Sequence, residues 1–67
     1  MKGCEAILRS ISGRNVKVEH RKGYGWFIME RGQTLFGFHS KRLLRRYTEN
    51  VIKQQRLYTP TASESYG

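Results

Sequence analysis

The stretch YGWFIMERGQTLFGFHSKRLLRRYTENVIKQQ, residues 24–55, decides the fold, because it passes from a strand pattern to a helix pattern. Residues 24–30 are apolar on both faces of a strand, which is typical of a central strand covered on both sides. Arg31-Gly32 predicts a tight hairpin turn, and residues 34–39 predict the returning strand. The stretch therefore predicts a hairpin followed by one helix.

The helix is predicted from residue 41 to about residue 55, where apolar side chains recur with a period close to 3.6. Ser40 precedes it as a natural N-cap, since a serine hydroxyl can accept a hydrogen bond from a free backbone N–H. One half of the helical wheel is apolar and consists of Leu43, Leu44, Tyr47, Thr48, Val51 and Ile52. We expect this side to cover one face of the sheet, because little other apolar surface is available for a core.

The segment before residue 24 completes the sheet. Residues 15–21 alternate between apolar and charged side chains, which predicts a strand, and Lys22-Gly23 predicts a turn. Residues 4–11 fit helical spacing but also alternate as a strand would; we favour a short helix and keep the strand as the alternative. The predicted fold class is α+β: a three-stranded antiparallel sheet packed by one C-terminal amphipathic helix, with a short N-terminal helix or strand.

The charge of the chain is strongly positive. Thirteen Lys and Arg residues face five acidic ones, which gives a formal net charge of +8 and a pI of about 10.3. All thirteen basic residues and four of the acidic ones lie in residues 1–58, which therefore carry +9. We predict a single basic domain over residues 1–58 and a disordered polar tail over residues 59–67. Such an excess favours a polyanionic partner.

Several classes of protein are disfavoured. A single cysteine and no secretory signal predict a cytoplasmic protein without disulfides, and no segment reads as a membrane span. The two histidines have no evident nucleophile or further metal ligand nearby, and the acidic residues form no carboxylate pair. Residues 23–25, Gly-Tyr-Gly, lack the pattern of a phosphate-binding loop. We therefore predict no enzyme, with no catalytic residue, no metal and no cofactor.

Two basic groups are candidates for contacting the polyanion. The first is the polar side of the predicted helix, with Lys41, Arg42, Arg45, Arg46, Lys53 and Arg56. Glu49 has the spacing to pair with some of these cations. The second is the sheet with its turns, where Lys17, Arg21, Lys22 and Arg31 surround three candidate base-stacking rings, Tyr24, Trp26 and Phe27. In the alternative, the N-terminal helix covers the second face of the sheet and these rings belong to the core.

Residues 23–52, GYGWFIMERGQTLFGFHSKRLLRRYTENVI, resemble the three-stranded-sheet DNA-binding domains of the plant AP2 type and of phage integrase arm-binding domains. The resemblance covers about half the chain. It implies that the sheet enters the DNA major groove, and that the contacting residues are Arg14, Lys17, Arg21, Lys22 and Arg31. The order helix–strand–strand–strand–helix also resembles a double-stranded-RNA-binding domain, whose second helix begins where Ser40-Lys41 stands here; we rank this second.

The leading hypothesis is a small nucleic-acid-binding module, with double-stranded DNA as the partner rather than RNA. The alternative is a protein-binding adaptor or regulator that docks an acidic protein. An anionic membrane surface is a third, weaker candidate partner, because the core needs the apolar side of the helix, which then cannot insert into lipid. A three-stranded sheet has two edges, so the chain is expected to be a monomer or a homodimer paired through one edge.

Overall fold

The computed structural model describes residues 2–60. The elements follow the chain in the order α1 (Lys2–Ser12), β1 (Val16–Arg21), β2 (Gly25–Glu30), β3 (Gln33–Phe38) and α2 (Lys41–Gln54). The predicted α+β fold is confirmed, and the N-terminal segment is the helix, not the strand. Most of the predicted tail, residues 61–67, lies outside the described part of the chain.

The three strands form one antiparallel sheet in the order β1-β2-β3, with β2 in the centre as predicted. The turn between β2 and β3 has positive φ at both central residues, 52° at Arg31 and 77° at Gly32. These values suit a tight hairpin turn whose twist matches that of the strands. Tyr24 lies in the turn before β2 instead of opening the strand, so the strand is one residue shorter than predicted.

β3 contains an irregularity that the alternating pattern did not predict. Ile28 pairs with Phe36, but Met29 pairs with Thr34, so Leu35 is an extra residue between the two pairs. Alternation predicts Leu35 and Phe36 on opposite faces. In the structure both pack against the core, because the extra residue shifts the register.

Both helices pack on the same face of the sheet. α1 contacts β1 and α2, while α2 contacts β2 and β3. One continuous core joins all five elements through Leu8, Val16, Ile28, Phe38, Leu44, Tyr47 and Val51, all fully buried. The alternative in which the N-terminal helix covers the second face is therefore wrong. A chain this small gains more from one shared core than from two thin ones, and neither helix of residues 2–60 lies over the second face.

The packed domain extends beyond the end of α2. The hydroxyl of Tyr47 donates a hydrogen bond to the carbonyl of Tyr58 and accepts one from the N–H of Tyr58 at 3.2 Å. The two rings lie 4.7 Å apart, and Leu57 also packs against the core. A buried phenol needs such partners. They attach the segment after α2 to the centre of the domain.

The outer edge of β1 is covered by side chains of α1. A carboxylate oxygen of Glu5 accepts the N–H of Val18 at 2.9 Å, and Nε of Arg9 donates to the carbonyl of Val16 at 2.8 Å. Glu5 and Arg9 also form an ion pair at 3.7 Å. These contacts occupy backbone groups that another strand would need. Pairing of two copies through a sheet edge is thus disfavoured at β1, which leaves β3 as the candidate edge.

Candidate nucleic-acid interface

The start of α2 is fixed by its N-cap. Ser40 has extended backbone angles, φ −140° and ψ 160°, and its hydroxyl oxygen accepts the N–H of Leu43 at 3.3 Å. The predicted cap is confirmed, so Lys41 and Arg42 lie in the first turn. That turn contains no acidic residue. The positive end of the helix dipole therefore coincides with two cationic side chains.

The outer side of α2 carries a concentrated positive charge. A depression of about 510 Å³ on this side is lined by four exposed cations and one acid, namely Lys41, Arg42, Arg45, Arg46 and Glu49. Among the side chains of residues 3–60 the ion pairs are Glu5–Arg9, Arg14–Glu30 and Glu19–Arg21. Glu49 belongs to none of these pairs, although its spacing in the sequence suits its basic neighbours.

The strand register brings two basic segments to the same end of the domain. Arg21 pairs with Gly25 beside the β1–β2 turn, and Trp26 pairs with Phe38 at the end of β3. The β1–β2 turn, which contains Lys22, therefore lies at the end of the sheet where β3 finishes and α2 begins. We call the group Lys22, Lys41, Arg42, Arg45 and Arg46 the basic end.

Four of the other predicted contacts lie away from the basic end. Arg14 and Arg31 lie at the opposite end of the sheet, about 20 Å away along a six-residue strand. Lys17 lies on the open face of the sheet, paired with Met29. Lys53 is in the last turn of α2, about 16 Å along the helix axis from Arg42. The residues predicted from the sequence thus do not form a single surface.

Two of the predicted arginines have acidic partners. Arg14 donates from Nε to Glu30 at 2.9 Å and also bonds the second carboxylate oxygen. This hydrogen bonding lowers the pKa of Glu30 below its ordinary value and raises the pKa of Arg14. Arg21 pairs with Glu19 at 3.0 Å and lies 5.1 Å from the centre of the Phe27 ring. The carboxylate beside each arginine offsets part of its positive charge and would repel a phosphate, so both are weaker phosphate ligands than the cations of the basic end, which form no ion pair with a side chain of residues 3–60.

The three candidate stacking rings lie in different surroundings. Tyr24 is 73% exposed in the β1–β2 turn, next to the basic end. Trp26 is half-buried, packs against the core and stacks on His20 with ring centres 4.2 Å apart. Phe27 is half-buried on the open face beneath Arg21. Tyr24 is therefore the most accessible of the three, and Trp26 is committed mainly to packing.

One surface feature was not predicted from the sequence. Ile52 is 40% exposed and lines a groove of about 380 Å³ between α1 and α2. The helical wheel assigns Ile52 to the apolar side, and only the position of α1 determines how much of it is covered. The wide apolar arc of α2, which places Ile52 at its margin, is the signal that could have suggested this groove.

Comparison of the chain with protein-family models, with curated proteins and with solved structures gives no match. In the described part of the chain, no group of three His, Cys, Asp or Glu side chains is placed to hold a metal ion. Neither helix there has the length and apolar character needed to cross a membrane.

Proposed function

We propose that this domain binds a nucleic-acid duplex, in the first place double-stranded DNA, through phosphate contacts made by the basic end. The observation that carries the proposal is the cluster Lys41, Arg42, Arg45 and Arg46 at the start of α2, without an ion pair to any described residue. Arginine and lysine side chains of this kind supply most of the affinity of proteins for duplexes.

The position of these cations opposes helix stability. Cations in the first turn of a helix cost about 0.3–1 kcal/mol each at low ionic strength, because they face the positive end of the dipole. Lys41 and Arg42 occupy that turn without an acid to compensate. A bound phosphate would reverse the sign of this interaction, since anions are stabilised at a helix N-terminus.

The dimensions of the surface fit a duplex. The four cations fall within two helical turns of α2. Lys22 lies in the β1–β2 turn, at the same end of the domain. Each strand of a duplex places one phosphate per about 3.4 Å of duplex axis, so four cations within two turns of α2 lie over a stretch that holds several phosphates. B-form DNA has a major groove about 12 Å wide that admits a helix, whereas the major groove of A-form RNA is narrow.

Double-stranded RNA is the second candidate, and the element order favours it. The chain runs helix–strand–strand–strand–helix, the order that resembles double-stranded-RNA-binding domains, and α2 begins at Lys41 after the Ser40 cap. Such domains recognise the shape and phosphates of a duplex more than its sequence. The phosphate contacts of the basic end would serve equally in that case.

Fluorescence anisotropy tests the proposal. The full chain is titrated into labelled DNA and RNA duplexes of equal length and sequence at salt concentrations from 50 to 200 mM. Four phosphate contacts predict a slope of about −3.6 in a plot of log K against log salt. Tighter binding of the RNA duplex than of the DNA duplex would favour the second candidate, double-stranded RNA. A flat dependence, or no binding to either duplex at 50 mM salt, would refute duplex binding.

A further inference from the structure

The groove between α1 and α2 combines apolar walls with a positive rim. Its walls include Ile7 and the exposed part of Ile52, and its floor includes Cys4 and Thr48, which are 8% and 2% exposed. The hydroxyl of Thr48 is satisfied by the carbonyl of Leu44 at 2.9 Å, so the floor presents no free polar group there. A nucleic-acid backbone, with a charged phosphate on every nucleotide, has no large apolar side chain to place in such a groove.

The rim determines which kind of partner fits. Lys41 and Arg45 border the groove, and Glu49 is the acid beside them. None of the three takes part in an ion pair with a side chain of residues 3–60. The rim is therefore net positive, and a partner with carboxylates flanking its apolar side chains would be complementary to it. A second copy of this chain, with a net charge of +8, would be repelled.

From these observations we infer that the groove docks an acidic amphipathic helix of a partner protein. Two packed helices leave a groove that the apolar side chains of a third helix can fill, with anchors at i, i+3 or i+4, and i+7. The apolar anchors of the partner would cover Ile7 and Ile52, and its carboxylates would meet Lys41 and Arg45.

This site overlaps the proposed duplex site. Lys41 and Arg45 border the groove and also line the depression on the outer side of α2. A carboxylate and a phosphate brought to the same two side chains would repel each other. The acidic helix and the duplex therefore compete, and a partner carrying such a helix would release the domain from nucleic acid.

The test uses two labelled synthetic peptides of leucine, alanine and glutamate, about fourteen residues long. One has its leucines on a single helical face; the other has the same composition with the leucines scattered. The full chain should bind the first peptide at least about fivefold more tightly, the factor expected from covering the exposed part of one isoleucine. Equal binding of the two peptides would mean that only charge is recognised, and would overturn the inference.

Two variants locate the peptide. Ile52→Ser should remove the preference for the amphipathic peptide while leaving duplex affinity unchanged. Tyr24→Ser is the control, because Tyr24 is the other large exposed apolar residue in residues 2–60 and lies outside the groove. An unchanged preference in Ile52→Ser would contradict the site. Since the peptide comparison needs only the wild-type chain, it stays decisive if a variant folds poorly.

The other possible occupants give distinct results. A dimer in sedimentation that Ile52→Ser abolishes would show that a second copy fills the groove. Peptide affinity that rises tenfold when residues 61–67 are removed would show that this segment fills it. Either result would overturn the inference. Duplex binding is measured in a separate titration. If the chain binds the amphipathic peptide but no duplex, the proposed function is refuted and the inferred docking site still stands.

Discussion

The double variant Arg42→Gln/Arg46→Gln should weaken duplex binding strongly while leaving the fold intact. The two residues are one helical turn apart on the outer side of α2, and both side chains are exposed. Neither forms an ion pair within residues 2–60. Their replacement therefore removes two charges and no packing.

The magnitude follows from counterion release. Each phosphate contact contributes about −0.9 to the slope of log K against log salt, so two lost contacts flatten the slope by about 1.8. At 0.1 M salt this corresponds to about 60-fold weaker binding, or about 2.4 kcal/mol. Stability should not fall, because the variant removes a cation from the positive end of the helix.

The matched control is Lys17→Gln/Arg31→Gln, which lowers the net charge of +8 by the same two units. These residues lie on the open face and at the far end of the sheet. Anisotropy should show less than about a threefold change for the control, and thermal unfolding checks that both variants are folded. Equal losses in the two variants would mean that binding follows net charge alone. A larger loss in the control would move the interface to the sheet and refute the reasoning.

Three further predictions concern what holds the domain together. Tyr47→Phe should lower the free energy of unfolding by about 1–3 kcal/mol in urea titrations, since it removes both hydrogen bonds to Tyr58; an unchanged midpoint would contradict the role of the hydroxyl. Ser40→Ala should cost about 0.5–2 kcal/mol and Ser40→Asp much less, because aspartate keeps the cap; equal losses would argue against the cap. The hydrogen bond from Arg14 lowers the pKa of Glu30 in the folded state. The stability that Glu30 contributes is therefore complete above the ordinary carboxylate pKa of about 4.3, and it is lost as the pH falls through the lowered value. Unfolding measured against pH should show this loss in the wild type and not in Glu30→Gln; the same profile in both would contradict it.

The elements of the fold could be predicted largely from local patterns. α2 follows from the helical period of its apolar residues and from Ser40, and the structure places its end within one residue of the predicted one. The β2–β3 turn follows from Arg31-Gly32 because only a few turn types join adjacent antiparallel strands. In both places the information lies in a few consecutive residues.

The arrangement of the elements could not be predicted in the same way. Residues 4–11 favour a helix but also alternate as a strand would, and no local pattern tells a helix which face of a sheet to cover. That choice depends on Leu8 joining the core around Tyr47 and Val51. The extra residue at Leu35 likewise appears only in the pairing of β2 with β3, and no turn residue in the sequence marks it.

The composition of the candidate site was predictable, but its geometry was not. The basic side of α2 follows from the wheel, since a residue's side of a helix is set by its sequence position. The pairing of Arg14 with Glu30 joins residues sixteen positions apart, so spacing gave no sign of it. The position of Lys22 beside the start of α2 depends on the register of all three strands.

The most direct test of the central claim is a map of the arginine side chains by NMR. The Nε–Hε signals of a ¹⁵N-labelled chain are followed while an unlabelled DNA duplex is added, with the RNA duplex in parallel. Signals of Arg42 and Arg46 should shift with the duplex, and those of Arg14 and Arg31 should stay in place. Shifts at Arg14 and Arg31 with none at Arg42 and Arg46 would contradict a duplex site at the basic end.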